Sequence, residues 1–244
     1  MEGLADMPVS WLRKGDPFPS VESALREPDG LLAAGNDLSP ERLVDAYTKG
    51  IFPWFGGDDP VLWWSPDPRA VLWLRDIHIS RSLCRTIRVG DYRVTVDAAF
   101  PHVMAACAEP RDADGGTWIT DGIVNSYKGL ASLGYAHSIE VWSRSTLIGG
   151  LYGVALGRMF YGESMFSRRS GASKIALVYL ARQLEEWGFE VIDCQVFTAH
   201  LASLGASTIP RTAFVKIVDR MTRLSAVPSP WILSKDLPGI VRVR

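Results

Sequence analysis

Apolar residues recur along this chain with two different periods, and the switch between them outlines the elements. His137–Ser143, Thr146–Gly157 and Arg158–Ser167 are apolar runs separated by turn residues, which predicts three consecutive antiparallel strands. GASKIALVYLARQLEEWG follows with Ala176, Leu180, Leu184 and Trp187 at helical spacing and Gly188 as a stop. FEVIDCQVF, Phe189 to Phe197, returns to the character of a buried strand but carries a carboxylate and an amide. Strand side chains alternate, so Val191, Asp193, Gln195 and Phe197 are expected on one face and Ile192, Cys194 and Val196 on the other.

Upstream, DLSPERLVDAYTKG reads as a helix with Ser39 as N-cap, Pro40 at its first position and Gly50 as its stop. AFPHVMAACA and IVNSYKGLASLG predict two more helices, and RTAFVKIVDRMTRL a last one. Proline and glycine punctuate Gly50–Trp73, which reads as an ordered non-helical segment. A boundary near Pro66–Arg69 divides a small N-terminal domain, residues 1–68, from a larger one, residues 69–244. Strands followed by a helix and a further strand predict an α+β, mixed α/β, layered fold. Such a pattern suits an acyltransferase without naming one.

Composition narrows the function. With 47% apolar and 22% charged residues, the 244-residue chain has the makeup of an ordinary globular protein. Cys84, Cys107 and Cys194 are widely spaced with no CxxC pair, which argues against a disulfide framework or zinc ribbon and fits a reducing cytosol. The start lacks a basic-then-apolar signal pattern and no run is long enough to span a bilayer, so a cytoplasmic location and no membrane partner are expected. Residues 1–70 hold 12 acids and 6 bases, whereas residues 71–244 hold 15 acids and 20 bases. That split permits one end to meet a polyanion and another a cationic ligand.

Two constellations could carry chemistry. In YGESMFSRRSGASKIAL, Glu163 stands near a strand end, and a basic loop with Arg168 and Arg169 opens into a helix. Free N–H groups there suit a phosphate, or Ser170 or Ser173 simply caps the helix. Asp193 and Gln195 are the second: two residues apart on a strand, they either address one ligand or form a satisfied buried pair. His78, His102, His137 and His200 show no metal-ligand spacing, and neither a phosphate-binding P-loop nor a serine-hydrolase elbow occurs. Cys107 or Cys194 as a nucleophile would need a partner; a buried inert thiol is the plainer reading. The nine tryptophans, among them Trp54, Trp63, Trp64 and Trp118, serve as core or as stacking platforms.

Ten ordered blocks give the chain a closer likeness. LREPDGLLAAGNDLSPERL, AYTKGIFPWF, LWWSPDPRAVL, HISRSL, GTWIT, AHSIEVW, GGLYGVALGRMFYGESMFS, ASKIAL, IDCQV and SLGA run from about Leu25 to Arg211. Together they resemble the leucyl/phenylalanyl-tRNA–protein transferases. Asn36 stands where that pattern has a second glycine, and the chain from about Val227 matches nothing in it. The resemblance implies a small N-terminal domain and a C-terminal domain of the GCN5-related N-acyltransferase type. It implies transfer of Leu, Phe or Met from aminoacyl-tRNA to the α-amine of proteins beginning with Arg or Lys, marking them for N-end rule degradation. It needs no cofactor, because the aminoacyl ester is already activated, and no metal; a monomer is expected.

The resemblance also assigns residues. Asp193 and Gln195 are implied as the catalytic relay, Asp193 either taking a proton or steering charge. Glu163, Trp54 and Trp118 are implied to bind the acceptor peptide, the tryptophans also lying near the terminal adenosine. Leu151, Phe160, Met165, Leu177 and Ile192 are implied to line the aminoacyl side-chain pocket. Simple alternation turns Ile192 away from Asp193, so either the strand twists or bulges or the pocket lies behind the relay. Arg81, Arg85 and Arg88, from a basic run, are candidate tRNA phosphate contacts. Two rivals share the pattern. One is an acetyl-CoA-dependent N-acetyltransferase, since RRSGAS echoes a pyrophosphate-binding R-x-x-G-x-G/A loop, although residues 50–73 then have no purpose. The other is a non-catalytic RNA- or degron-binding module on the same fold.

Overall fold

The structure, a computed structural model, describes residues 9–57, 59–110, 117–235 and 237. Its first sheet is built from β1 (Ser10–Leu12), β2 (Leu31–Gly35), β3 (Phe52–Pro53) and β4 (Val61–Trp64), in the order β1–β2–β4–β3. Between β2 and β3 lies helix α1 (Pro40–Thr48), started by the Ser39 hydroxyl accepting from Arg42 N and followed by Gly50 at φ +74°. Only glycine adopts that angle freely, so the helix stops there as expected.

The second sheet has seven strands: β5 (Arg69–Trp73), β6 (Arg93–Val96), β7 (Ala136–Ser143), β8 (Thr146–Leu156), β9 (Met159–Ser167), β10 (Val191–Gln195) and β11 (Ser207–Ile209). Their order is β11–β5–β10–β9–β8–β7–β6. Strands β7, β8 and β9 form the expected antiparallel meander, turned by the two-residue links Arg144–Ser145 and Gly157–Arg158. Each link opens with a positive φ, the backbone that matches strand twist in a tight hairpin.

Alternation along these strands divides the core. On one face Tyr152, Val154, Leu156, Tyr161 and Val191 pack with the first sheet, α1, α3 (Phe100–Ala108), α4 (Asp121–Ser132) and α6 (Arg211–Thr222). On the other, Leu151, Ala155, Phe160 and Ile192 pack with α2 (Arg81–Val89) and α5 (Ala172–Glu186). Burial from Leu12 to Trp63 runs into that from Phe100 to Met221 as one cluster. Helix α5 is buried almost all round, and its start presses on β8 so closely that a Cβ on Gly149 would lie 2.4 Å from that of Ala172. The unplaced C-terminal stretch packs on this side too: Trp231 stacks on His137 at 3.5 Å, and Ser234 N donates to Gln183 Oε1. No helix among the described residues is long and apolar enough to cross a membrane.

One junction positions the site. Strands β9 and β10 are parallel, joined through α5, and pair only at Phe160–Ile192 and Tyr161–Asp193. Beyond that they part. Each bears a bulge beside the gap: Glu163 is the extra residue where β9 slips against β8, and Cys194 is the extra residue where β10 slips against β5. Bulges bend a strand and re-aim its side chains.

Candidate functional site

A cavity of about 610 Å³ opens where β9 and β10 part, and residues from both faces of the sheet line it. From the α5 side come Leu72, Leu151, Phe160, Met165, Leu177, Leu180 and Ile192. From the other side come Phe52, Trp54, Trp118, Tyr152 and Glu163, with Gln195 at the gap. All five residues expected for an apolar pocket therefore share one wall, and the bulge explains how. Phe160 and Met165 would face opposite ways on a regular strand; the extra residue at Glu163 restores them to one side.

Asp193 and Gln195 do not sit side by side on one face, as regular alternation predicts. Gln195 has φ +57° and the register slips between the two residues. Asp193 points to the core face opposite the apolar pocket and is fully buried. There it meets Arg69, also fully buried, whose Nε and Nη2 donate to its two oxygens at 2.8 and 2.7 Å. Arg69 Nη1 donates to Gly50 O, and its guanidinium lies between the rings of Phe52 and Phe214 at 4.7 and 4.5 Å. The backbone N–H of Gln195 donates to Asp193 Oδ1 at 2.9 Å. Asp193 thus holds Gln195 in its left-handed turn and does not line the cavity. FEVIDCQVF is not one buried strand either: it ends at Gln195, and Val196 and Phe197 are about half exposed because the turned backbone leaves the sheet.

Glu163 is the carboxylate that faces the cavity. Its Oε1 lies 2.8 Å from Tyr47 Oη and accepts from Gln195 Nε2 at 3.0 Å; its Oε2 lies 2.9 Å from Tyr127 Oη. The two phenols also touch each other. Burial pushes the Glu163 carboxyl up to about 7, against the hydrogen bonds from both phenols, which pull it down. Burial, with the Glu163 charge second, likewise holds Tyr47 and Tyr127 well above the ordinary phenol value. Sequence reading missed Arg69, Tyr47 and Tyr127. No local signal marks them, since each acts on a residue far along the chain.

Other expectations separate cleanly. Trp54, about half exposed, and Trp118 both line the cavity. The basic run of Arg81, Arg85 and Arg88 is helical, all three arginines lie on the exposed side of α2, and none lines the cavity. Two of the groups expected to meet an anion at the start of α5 are engaged elsewhere. Ser173 N donates to Ser167 Oγ, Arg168 pairs with Glu109, and Gly171 rather than Ser170 or Ser173 holds the cap position. Burial raises the Cys194 thiol far above the ordinary value, and Cys107 is buried in α3, so neither suits a nucleophile. No cluster of His, Cys, Asp or Glu among the described residues could hold a metal.

Comparison with known proteins bears on this site. The family model for the leucyl/phenylalanyl-tRNA protein transferase matches residues 71–219, and the model for the N-terminal domain of that transferase matches residues 36–67. The leucyl/phenylalanyl-tRNA–protein transferase of Nitrosomonas europaea is 55% identical, covering 95% of this chain and 98% of its own. That of Nitrosospira multiformis is 58% identical over 93% and 98%. Likeness to solved structures is loose: a GCN5-related N-acetyltransferase from Kribbella flavida aligns at TM-score 0.36 and 12% identity, over 65% of this chain and 56% of that one. With one family model matched across the strands that hold Glu163, Asp193 and Gln195, a second matched over residues 36–67, and relatives alike along nearly their whole length, the chain belongs to the leucyl/phenylalanyl-tRNA–protein transferase family.

Proposed function

We propose that this enzyme moves Leu, Phe or Met from aminoacyl-tRNA to the α-amine of proteins beginning with Arg or Lys, as a cytoplasmic monomer that marks them for N-end rule degradation. The observation that carries the reading is the two-sided cavity: an apolar lobe on the α5 side and a carboxylate–amide wall on the other, meeting at the gap between β9 and β10. Residues 1–68 form the smaller domain in this reading and residues 69–244 the catalytic one.

The unbranched-at-Cβ side chain of the donor enters the lobe lined by Leu151, Phe160, Met165, Leu177 and Ile192. Glu163 meets the cationic side chain of the acceptor, and Trp54 and Trp118 flank peptide and terminal adenosine. Gln195 gives an N–H to Glu163, so its carbonyl end is the acceptor that orients the attacking α-amine. That amine titrates near 7.7–8.0 in solution, roughly at working pH, and needs alignment more than a strong base. Asp193 already accepts two guanidinium hydrogens and a backbone N–H, so its task is to fix Gln195 and not to carry the proton. The aminoacyl ester supplies the driving force. Arg81, Arg85 and Arg88 offer a basic stripe to tRNA phosphates, and their loss should flatten the salt dependence of tRNA binding.

The test is transfer itself. Labelled Phe-tRNA and labelled acetyl-CoA are each incubated with the protein and an Arg-initiated peptide. Phe is expected on the peptide, with none when Ala replaces Arg; acetyl transfer alone would overturn the reading.

A further inference from the structure

The polar wall of the cavity has a proton inventory that its geometry fixes. Tyr47 Oη, Tyr127 Oη and the Glu163 carboxyl form a closed triangle of hydrogen-bonding contacts. Each phenol supplies one hydrogen. With Glu163 ionised, two hydrogens must serve three contacts, and one pair of oxygens is left in contact with nothing between them. With Glu163 protonated the ring closes. In that state Oε2–H donates to Tyr127 Oη, from which the ionised carboxylate accepts; Tyr127 donates to Tyr47 Oη, and Tyr47 donates to Oε1. Gln195 Nε2 also donates to Oε1, which marks Oε1 as the carbonyl oxygen and leaves Oε2 to carry the proton.

The charges around the carboxyl favour the same state. From β10 and β5 the Asp193–Arg69 pair closes on itself and presents no net charge, Gln195 is neutral, and α1 and α4 contribute only the two phenols. His200, Cys194 and Tyr152 are the other titratable groups lining the cavity, and among the described residues no ion pair to Glu163 forms. The raised acidity range of Glu163 agrees with this count.

We infer that in mildly acid solution the free acceptor site is neutral, with Glu163 protonated and ringed by Tyr47 and Tyr127, and that a guanidinium or ammonium side chain then binds by displacing that proton to solvent. This rests on the reading of Glu163 as the acceptor-recognising carboxylate. The balance is simple: the cation enters, one proton leaves to solvent, the wall goes from neutral to −1, and wall and bound cation together stay neutral. Basic acceptors are then held by an ion pair formed in place, while a free site does not keep a buried unpaired charge.

The test is calorimetry on the full chain with a peptide whose first residue is 5-guanidinopentanoyl, arginine without its α-amine, so that no amine titration intrudes. Titrations run in two buffers of different ionisation enthalpy, at pH 6 and pH 8.5. About one proton should be released per peptide at pH 6 and close to none at pH 8.5, with affinity rising about tenfold per pH unit below pH 7. Glu163→Gln, which reproduces the neutral acid's donor and acceptor, should release none at either pH. Tight binding at pH 6 without proton release would overturn the inference and leave the acceptor reading standing. Equal binding of the guanidino peptide and a pentanoyl control would overturn both.

Discussion

Asp193 and Glu163 are carboxylates beside bulges of neighbouring strands, and Gln195 bonds to both, yet their surroundings differ in almost every physical respect. Asp193 is sealed in the core, forked to a buried Arg69 between two aromatic rings, with three donors on its oxygens. Glu163 opens on a cavity, has phenols and an amide for partners, and titrates near 7. A carboxylate with its own counter-ion is a structural anchor; one without is available to a ligand that brings the counter-ion. Sequence presents both as polar residues among apolar ones. The environment divides their work.

That comparison breaks most visibly at Asp193. Asp193→Ala leaves the Arg69 guanidinium buried and unpaired, so unfolding stability should fall by about 3–5 kcal/mol and transfer by far more than any pocket variant. The double variant Arg69→Met/Asp193→Leu removes both charges and should regain most of the stability in denaturant melts, while transfer stays low because Gln195 has lost its turn. Recovery of transfer with stability would make Asp193 a mere stabiliser.

Next is Gln195→Ala, which removes one side-chain hydrogen bond, to Glu163, and no apolar core side chain. Stability should hold within about 0.5 kcal/mol while kcat drops by about 100-fold at unchanged KM for tRNA, read from single-turnover transfer. Met165→Ala sharpens the apolar side: the enlarged lobe should shift the preference among Leu, Phe and Met by about tenfold, leaving the ranking of Arg over Ala acceptors intact.

The smallest effect is on pH. Glu163 binds its proton more tightly folded than unfolded, so between about 4.5 and 7 the folded state holds more protons than the unfolded one. Stability from this group is full below that window and is lost as pH rises through 7. Melts at pH 5 and 7.5 should therefore show a larger fall in Tm for the parent than for Glu163→Gln.

Much of the frame was legible because it is local. Ser39 and Pro40 start α1, and β7–β9 begin and end within a residue of the hydrophobic runs, since hairpins and caps depend on neighbours in sequence. The pocket residues were named from likeness alone, and the fold brings all five to one wall. What the chain concealed is long-range. Arg69, placed by sequence at a domain boundary, is the first residue of β5 and the partner of Asp193 across 124 positions. The bulges at Glu163 and Cys194 break the alternation that the reading of Asp193 and Gln195 relied on. Ser167, at the end of β9, accepts from the N–H of Ser173 at the start of α5, the helix for which Ser170 or Ser173 was the expected cap.

The division of labour between the two carboxylates is tested most directly by acceptor competition in Glu163→Gln. With Phe-tRNA as donor and Arg-, Lys- and Ala-initiated peptides in one mixture, the parent should favour the basic acceptors strongly. The variant should lose that preference by about ten- to a hundredfold, through KM, while kcat stays within a few-fold, since Gln195 and its Asp193 anchor are intact. Undiminished preference for Arg and Lys with a collapsed kcat would contradict the account and move Glu163 from recognition to chemistry.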